Sequence, residues 1–373
     1  MRVALVTDWY HPRVGGIESH VAALAGQLRQ RGVDARVLTP WPGEDTVGGV
    51  PVRRLEVPVL PGLGVPGSIP RLARALLQAL QAEEPTVVHG HMSLGSPTSI
   101  VAGWAADRLG LPGLGTFHST FGPFHWFYRA AAPVLGWRRW PFEVAAVSPV
   151  VARDLQSLMP DRQVRLLPNA LDEGVWSGTP PPAVPGQLRL VTTSRLHRRK
   201  RVSAVLDAVA GARRRQPGGA DITLEVLGEG PERGRLEARS RRLGLGDVVT
   251  FLGEGDEEAV RAVLSRGDVF VNACPVESFG LGGLEALARG LPVLGRVEGG
   301  MEAFVVHGEN GLLVGSDQAL EDALVRLAAD GGELGTLRSG AARGIPEELT
   351  WSHQVERHLE VYEAMSPSAS PSS

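Results

Sequence analysis

Short apolar runs rich in β-branched residues alternate with helical patterns along nearly the whole chain, and a Pro-rich stretch at 178–186 interrupts them once. Strands separated by helices are typical of βαβ units, whose parallel sheets are covered on both faces. A single hydrophobic core stops growing at roughly 250–300 residues, whereas this chain has 373. The pattern therefore predicts an α/β protein with two doubly wound domains.

Nine strands and three helices are predicted from these runs. Ligands of parallel sheets bind beyond the carboxyl ends of the strands, so functional residues are expected in the loops that follow strands. Helices are predicted at 18–31, 69–81 and 349–365 because apolar residues recur there at helical spacing. The predicted strands are 2–8, 35–39, 86–91, 114–118, 143–148, 188–194, 222–228, 248–253 and 268–273.

Composition predicts a folded cytoplasmic protein. Gly and Pro, 47 and 28 residues, amount to about a fifth of the chain, below the roughly 25–30% typical of low-complexity disorder. No signal-peptide pattern or membrane-spanning apolar run is found. The lone Cys274 lies in an apolar strand, which favours a buried thiol and a reducing compartment. The Ser- and Pro-rich tail 366–373 is expected to be disordered.

Several classes of site are excluded by missing motifs. The P-loop requires Gly-Lys-Ser/Thr, but the single lysine, Lys200, follows an arginine. The sequence has no Asp-x-Asp, no HExxH and no cysteine pair for zinc. His89 and His91 lie two apart at a strand end, but with no third ligand nearby they are interpreted as polar loop residues rather than metal ligands. The net charge of −3 gives no indication of a nucleic-acid partner.

A turn and helix at 277–293, directly after the strand DVFVNA, form the strongest local signal of a binding site. The free N–H groups and partial positive charge of a helix N-terminus suit a phosphate. A carboxylate one turn into the helix, at Glu285, can accept both hydrogen bonds of a ribose diol. The spacing fits a nucleotide. Besides Glu285, the candidate residues are Glu277, Ser278, Phe279, Gly280 and Leu281.

Arg195 and Lys200 follow the strand 188–194 and should reach the same end of the sheet. Two cations can hold a diphosphate and stabilise the negative charge that develops on it as a leaving group. A run of Arg and Lys is also typical of a solvated helix face. Because 37 of the 38 cationic side chains are Arg, the solitary lysine favours the binding interpretation, since a planar guanidinium does not replace a point charge on a flexible stem.

Glycine-rich segments follow two other strands. Gly15 and Gly16 come immediately before a predicted helix, where the backbone can offer N–H groups to an anion. Gly228, Gly230 and Gly234 have a weak dinucleotide spacing. NAD(P) is not expected there, because no acidic residue follows a strand at the position of the ribose contact.

The order of these segments resembles the retaining nucleotide-sugar glycosyltransferases of glycosyltransferase family 4. The segments are GGIESHVAALAGQLRQRG, GTFHST, LPNALD, TTSRLHRRK, GEGP, ESFGLGGLEALARGLPV and GENGLLV. The resemblance covers about residues 1–365 and implies a GT-B fold, with two Rossmann-like domains facing across a cleft. It implies an acceptor-side domain at 1–172, a linker at 173–187, a donor domain at 188–349, and a helix at 350–365 that crosses back to the first domain.

The same resemblance implies roles for individual residues. Arg195 and Lys200 would bind the donor diphosphate, and Glu285 the ribose. Glu277 would lie near the transferred sugar, and His118 would hydrogen-bond that sugar, so these two are the candidate catalytic residues. The resemblance also implies that Gly16 contacts the diphosphate once the domains close. Transfer in this family needs no cofactor or metal, and the anomeric configuration is retained.

Donor and acceptor stay open at this point. Glu302 and Ala303 replace the Pro-Glu that commonly precedes the Gly-Glu-Asn-Gly segment, a change near the sugar pocket. The first part looks most like the phosphatidylinositol mannosyltransferase type, which suggests a mannose- or glucose-type donor linked to GDP or UDP and a lipid, glycan or small-molecule acceptor. Trp and Arg residues at 125–142 fit either an inner-membrane interface or an inward-packed helix. Alternatives are a nucleotide-sugar epimerase and a catalytically silent nucleotide-sugar-binding subunit.

Overall fold

A computed structural model describes residues 1–13, 15–60, 66–93, 95–135, 139–216, 221–329 and 331–366. The chain forms two compact units, one of Met1–Ala170 together with the C-terminal helix, the other of Leu171–Thr350. Nearly all of the predicted disordered tail, from residue 367 onward, lies outside the described residues.

The first unit is built on an eight-stranded sheet in the order β3-β4-β2-β1-β5-β6-β7-β8. Its neighbouring strands pair in parallel except for β3 and β4, which pair antiparallel. The strands are β1 (Arg2–Val6), β2 (Asp34–Thr39), β3 (Thr46–Val47), β4 (Val50–Arg54), β5 (Val87–Met92), β6 (Gly113–Phe117), β7 (Glu143–Ala146) and β8 (Val164–Leu166). The helices are α1 (Gly16–Gln30), α2 (Ile69–Glu83), α3 (Pro97–Arg108), α4 (His125–Leu135) and α5 (Pro149–Leu158).

The second unit contains a six-stranded parallel sheet in the order β11-β10-β9-β12-β13-β14. The strands are β9 (Gln187–Thr193), β10 (Asp221–Leu227), β11 (Val249–Gly253), β12 (Val269–Val271), β13 (Val293–Arg296) and β14 (Gly311–Val314). The helices are α6 (Glu173–Trp176), α7 (Val202–Arg215), α8 (Arg233–Arg242), α9 (Glu257–Leu264), α10 (Leu281–Ala288), α11 (Asp317–Ala329) and α12 (Gly331–Ala341).

The last helix, α13 (Trp351–Met365), packs on the first unit. Its residues Trp351, Val355 and Tyr362 are buried in the same apolar core as Val3 and Leu5 of β1. The side chains of an α-helix that are three or four residues apart share one face, so these residues form one buried stripe. The stripe fixes α13 against α1 and β1.

Each sheet has a point at which the strand order reverses direction. In the first sheet β1 lies between β2 and β5, and in the second β9 lies between β10 and β12. Connections leave opposite faces of the sheet on the two sides of such a point, so a crevice opens beyond the carboxyl ends of the two strands. The loop with Arg195 and Lys200 follows β9, and the loop with Glu277 follows β12, so both lie at the crevice of the second unit.

The predicted fold class is confirmed, and all nine predicted strands are present. Five short strands were missed, namely β3, β4, β8, β13 and β14. β8 lacks alternation, because none of its residues is fully buried. β13 follows α10 after only four residues, so its apolar residues merge with the helical pattern before it.

Candidate functional site

Lys200 and Glu277 form an ion pair at the crevice of the second unit, with Lys200 Nζ 2.6 Å from Glu277 Oε2. Lys200 ends a short 3₁₀ turn, Arg198–Lys200, after β9, and its N–H donates to the carbonyl of His197. Glu277 lies in the turn after β12, where its carbonyl accepts from the N–H of Gly300 at 2.7 Å. The sequence segments that contain these two residues are therefore brought together.

Asn272 is a site residue that the sequence reasoning missed. Its Nδ2 donates to Glu277 Oε2 at 3.3 Å, and its Oδ1 accepts from the N–H of Cys274 at 2.9 Å. A buried amide at the end of an apolar strand is the signal that could have found it, since buried polar groups require partners. Asn272 fixes the Glu277 carboxylate from the side opposite its own backbone turn.

The Glu277 carboxylate is held in its ionised form. Burial alone would raise its pKa, but the charge and hydrogen bond of Lys200 and the hydrogen bond of Asn272 outweigh burial and lower the pKa below its ordinary value. A buried ionised carboxylate needs such partners, because desolvation of an unpaired charge is costly. Glu277 thus offers fixed negative charge next to a lysine that can turn toward an anionic ligand.

Gly280 is required at the start of α10. Its φ of +93° lies in the left-handed region, and a Cβ there would come within 2.5 Å of Met301 Cγ. Phe279 beside it is buried against Phe304, with 5.5 Å between the ring centroids. Ser278 and Leu281 are partly exposed. The turn is therefore anchored by Phe279, and the free N–H groups at the start of α10 stay accessible to an anion.

Glu285 lies one turn into α10. Burial, with a further contribution from the charge of Glu257, raises the pKa of Glu285 to about 7. A carboxyl with this pKa passes between its neutral and ionised forms near neutral pH. Ionised, it can accept two hydrogen bonds from neighbouring hydroxyl groups.

The loop after β10 supports the loop of Arg195. A Cβ on Gly228, whose φ is +146°, would lie 1.9 Å from the carbonyl oxygen of Ser194. The N–H of Leu196 donates to the carbonyl of Glu229 at 2.8 Å, while Arg195 is exposed. The glycine is therefore explained by close backbone packing, and Arg195 projects from a braced loop.

In the first unit, α1 begins at Gly16, and Gly15 is its N-cap. A Cβ on Gly15 would come within 2.5 Å of Glu18 Oε2, and Glu18 is buried and paired with Arg13 at 3.0 Å. Around Gly16 the space is open, because no atom of the described residues lies within 4 Å of the position that a Cβ would take there. The two glycines thus have different reasons, and Gly16 is the one that leaves room for a ligand.

His118 follows β6 and is 8% exposed. Its N–H donates to the carbonyl of Met92 at 2.8 Å, and its Nε2 is 3.1 Å from Nδ1 of His91. Burial, with the charge of His358, lowers the pKa of His118 to about 3. A neutral imidazole at this position can accept or donate one hydrogen bond to a ligand while His91 holds its other nitrogen.

The interpretation of His89 and His91 as polar loop residues was wrong. Both lie in β5 and are buried. His89 Nδ1 is 2.7 Å from the Tyr362 hydroxyl and its Nε2 is 2.8 Å from Thr116 Oγ1. Alternation along β5 directs both imidazoles to one face of the sheet, under α13, which the sequence pattern of β5 alone does not reveal.

The aromatic segment 125–142 contains both structural and exposed residues. Trp140 is buried, and its Nε1 donates to the carbonyl of Ile100 at 3.1 Å. Trp126 is 71% exposed, and Phe127 and Arg129 beside it on α4 are also exposed. Trp137 and Arg138 lie outside the described residues. Cys274, by contrast, is a buried thiol as predicted.

Two family models match the chain. Residues 14–174 match the model described as Glycosyltransferase Family 4, and residues 181–342 match the one described as Glycosyl transferases group 1. Together with the two parallel-sheet units, these matches define a glycosyltransferase of the GT-B class. The chain belongs to glycosyltransferase family 4.

Relatives of known name extend over nearly the whole chain. Phosphatidyl-myo-inositol mannosyltransferase of Mycobacterium leprae is 27% identical, covering 99% of this chain and 98% of the relative. One subunit of the phosphatidylinositol N-acetylglucosaminyltransferase of Homo sapiens is 26% identical, covering 98% and 77%. The crystal structure of Anabaena HepE in complex with UDP and glucose has a TM-score of 0.77 at 20% identity, covering 97% and 99%. Among the described residues, no helix is long and apolar enough to cross a membrane.

Proposed function

We propose that this chain is a retaining glycosyltransferase, which moves a mannose- or glucose-type hexose from a nucleotide-diphosphate sugar to a hydroxyl group of an acceptor. The observation that carries the proposal is the pair of Lys200 and Glu277, 2.6 Å apart beyond β9 and β12. It occupies the switch point of a parallel sheet, where such folds bind ligands. The start of α10 adds free N–H groups at the same place.

The donor's diphosphate is assigned to Arg195, Lys200 and the N–H groups at the start of α10, from Ser278 to Leu281. Glu285, one turn further, is assigned to the ribose. Cations and backbone N–H groups together compensate the charge of a diphosphate. The same groups stabilise the negative charge that grows as the nucleoside diphosphate leaves, which is the main contribution to catalysis in this proposal.

Glu277 and His118 are assigned to the transferred sugar. Glu277 is ionised and oriented by Asn272, so it suits a sugar hydroxyl donor or developing positive charge at the anomeric carbon. His118 is neutral and held by His91, so it suits a hydrogen bond to the same sugar. The bond from the anomeric carbon to the diphosphate breaks while the bond to the acceptor oxygen forms on the same face. Gly16, with open space beside it, is assigned to the diphosphate.

A lipid acceptor at the inner membrane face is favoured by two observations. The relatives include a phosphatidyl-myo-inositol mannosyltransferase, and α4 presents exposed Trp126 and Phe127 beside exposed Arg129. Aromatic and cationic side chains together suit a membrane interface with anionic lipids. We propose peripheral association of a cytoplasmic enzyme, with lipid or glycan acceptors.

Incubation with donor alone, followed by NMR, separates the proposal from its alternatives. A transferase without acceptor leaves the nucleotide sugar intact or hydrolyses it slowly, and forms an α-linked product from an α-linked donor once an acceptor is added. Appearance of the epimeric sugar without acceptor would establish an epimerase. Donor binding without turnover under any acceptor would establish a silent binding subunit. The assays contain EDTA, because transfer is proposed to be metal-independent.

A further inference from the structure

Five histidines are buried together in the first unit, and they divide into two groups. His89 and His358 have partners for the nitrogens they present to neighbours: His89 contacts Tyr362 and Thr116, and His358 Nδ1 is 2.7 Å from the carbonyl of Gln354. The second group consists of His20 of α1, His91 of β5 and His118 after β6. Its ring centroids lie 4.9 to 5.6 Å apart.

Nitrogen atoms in the second group lack hydrogen-bond partners. Within the described part of the chain, neither ring nitrogen of His20 has one, and Nε2 of His91 also has none, although all three atoms are buried. Buried polar atoms in folded proteins nearly always have a partner, so an unpaired group of this kind calls for a water or an ion. Three unpaired nitrogens within one cluster point to a ligand between the rings.

The spacing of the three rings fits one metal ion. One nitrogen from each of His20, His91 and His118 lies within 4.8 Å of the other two. His91 Nδ1 and His118 Nε2 are 3.1 Å apart. Two imidazole nitrogens bound tetrahedrally to Zn²⁺, each at 2.0–2.1 Å, are separated by about 3.3 Å. Small rotations of His20 would therefore complete a site whose other two ligands already have the required spacing.

We propose that His20, His91 and His118 form a three-histidine site for a divalent transition metal, with Zn²⁺ as the ion that it fits best. Imidazole nitrogens suit Zn²⁺, and three of them leave a fourth position for water, which is the arrangement of an open zinc site. Burial keeps the three imidazoles neutral, the form that binds a metal. His118, at the solvent edge of the cluster, offers the route by which an ion enters.

Metal binding would also affect the sugar contact of His118, a consequence that rests on the proposed function. A ring nitrogen that binds the ion is withdrawn from the hydrogen bond between His118 and the sugar, and the ring is fixed toward His20 and His91. Metal and donor sugar therefore compete for one residue. The metal-bound form is an inhibited form of the transferase, and chelation restores activity.

Metal binding is measured first, without any activity assay. The chelator-treated full chain is titrated with Zn²⁺ against a chromophoric chelator, and with Co²⁺ while visible absorption is recorded. The proposal predicts one tightly bound ion per chain, and ligand-field bands of four-coordinate Co²⁺. In His20→Gln and His91→Gln the affinity falls about 100-fold or more, at least as much as the loss of an outer-shell partner. His307→Gln, at an exposed histidine of the second unit, keeps the wild-type affinity.

The outcomes are separable from those of the proposed function. Absence of stoichiometric binding, or six-coordinate Co²⁺ spectra, overturns the site, and so does binding that neither His20→Gln nor His91→Gln weakens. If either variant unfolds, zinc-edge X-ray absorption of the wild type decides instead, with three nitrogen ligands at about 2.0–2.1 Å expected. In the transfer assay, Zn²⁺ should inhibit wild type and spare His20→Gln. Bound Zn²⁺ that leaves transfer unchanged overturns the competition, while a chain that never transfers sugar leaves the binding result intact.

Discussion

Lys200 Nζ lies 2.6 Å from Glu277 Oε2, so the only lysine of the chain is paired with a carboxylate from the loop after the neighbouring strand. The two residues are 77 positions apart in sequence. Strand β12 hydrogen-bonds to β9 in the sheet, and this pairing brings the two loops together. The same pairing gives the site its mixed charge, with a cation for a diphosphate next to an anion for the sugar.

Replacement of Lys200 tests the diphosphate assignment. Lys200→Ala should weaken donor binding about 10- to 150-fold, because a hydrogen bond to a charged group contributes about 1.5–3 kcal/mol. Calorimetric titration with a nucleotide sugar measures the affinity. Arg235→Ala, which removes an exposed cation of the same unit, is the matched control and should bind as wild type. Equal affinity of wild type and Lys200→Ala would remove Lys200 from the donor site.

Donor affinity should depend on pH through Glu285. Its pKa is raised to about 7, and the proposed ribose contacts need the ionised form, so affinity should increase by up to about tenfold from pH 6 to pH 8. The diphosphate diester of a nucleotide sugar does not titrate in this range. Glu285→Gln should bind weakly at both pH values, with no increase. A wild-type affinity that is flat across this range would contradict the role of Glu285.

Acid should destabilise the first unit through His358. Burial lowers its pKa from 6.5 to about 4, so below pH 6.5 the unfolded chain takes up a proton that the folded chain does not. Unfolding is therefore favoured as pH falls, by at most about 1.4 kcal/mol per pH unit from this group. Denaturant titrations at pH 7 and pH 5 should show a smaller loss for His358→Gln than for wild type. Equal losses would mean that His358 is protonated in the folded state.

Vesicle binding tests the exposed aromatic face of α4. Wild type should sediment with anionic vesicles, and Trp126→Ala should reduce the bound fraction, because an interfacial Trp would no longer insert. Trp104→Ala is the control, since Trp104 is also partly exposed, at 45%, but lies on α3. Retention of neither protein by anionic or neutral vesicles would remove the membrane from the proposal.

Much of the fold could be predicted because the apolar runs repeat with clear periods. The buried strands of parallel sheets are continuous apolar stretches, as in RVALV and VVHGHM, and β-strands were predicted at both. The amphipathic helix α1 has Val21, Leu24 and Leu28 on one buried stripe. Short strands such as β3, with two residues, have no period to detect.

The site was predictable where residues lie close in sequence, and less so where tertiary structure assembles them. The turn at Gly280 and the carboxylate at Glu285 are local, and they were identified from spacing within one helix start. Asn272 acts through Glu277, and the histidine cluster combines α1, β5, β6 and α13. No third ligand near His89 and His91 was evident from the sequence, because His20 and His118 approach His91 only after the sheet has formed.

Thermal unfolding with a panel of UDP- and GDP-sugars in the presence of EDTA tests the central claim most directly. A donor at about 100 times its dissociation constant should stabilise the protein by roughly 2.7 kcal/mol. We predict such a shift with one base class for wild type, and a shift that is strongly reduced for Lys200→Ala. No shift with any nucleotide sugar, or an equal shift for wild type and Lys200→Ala, would contradict a donor site at Lys200 and Glu277.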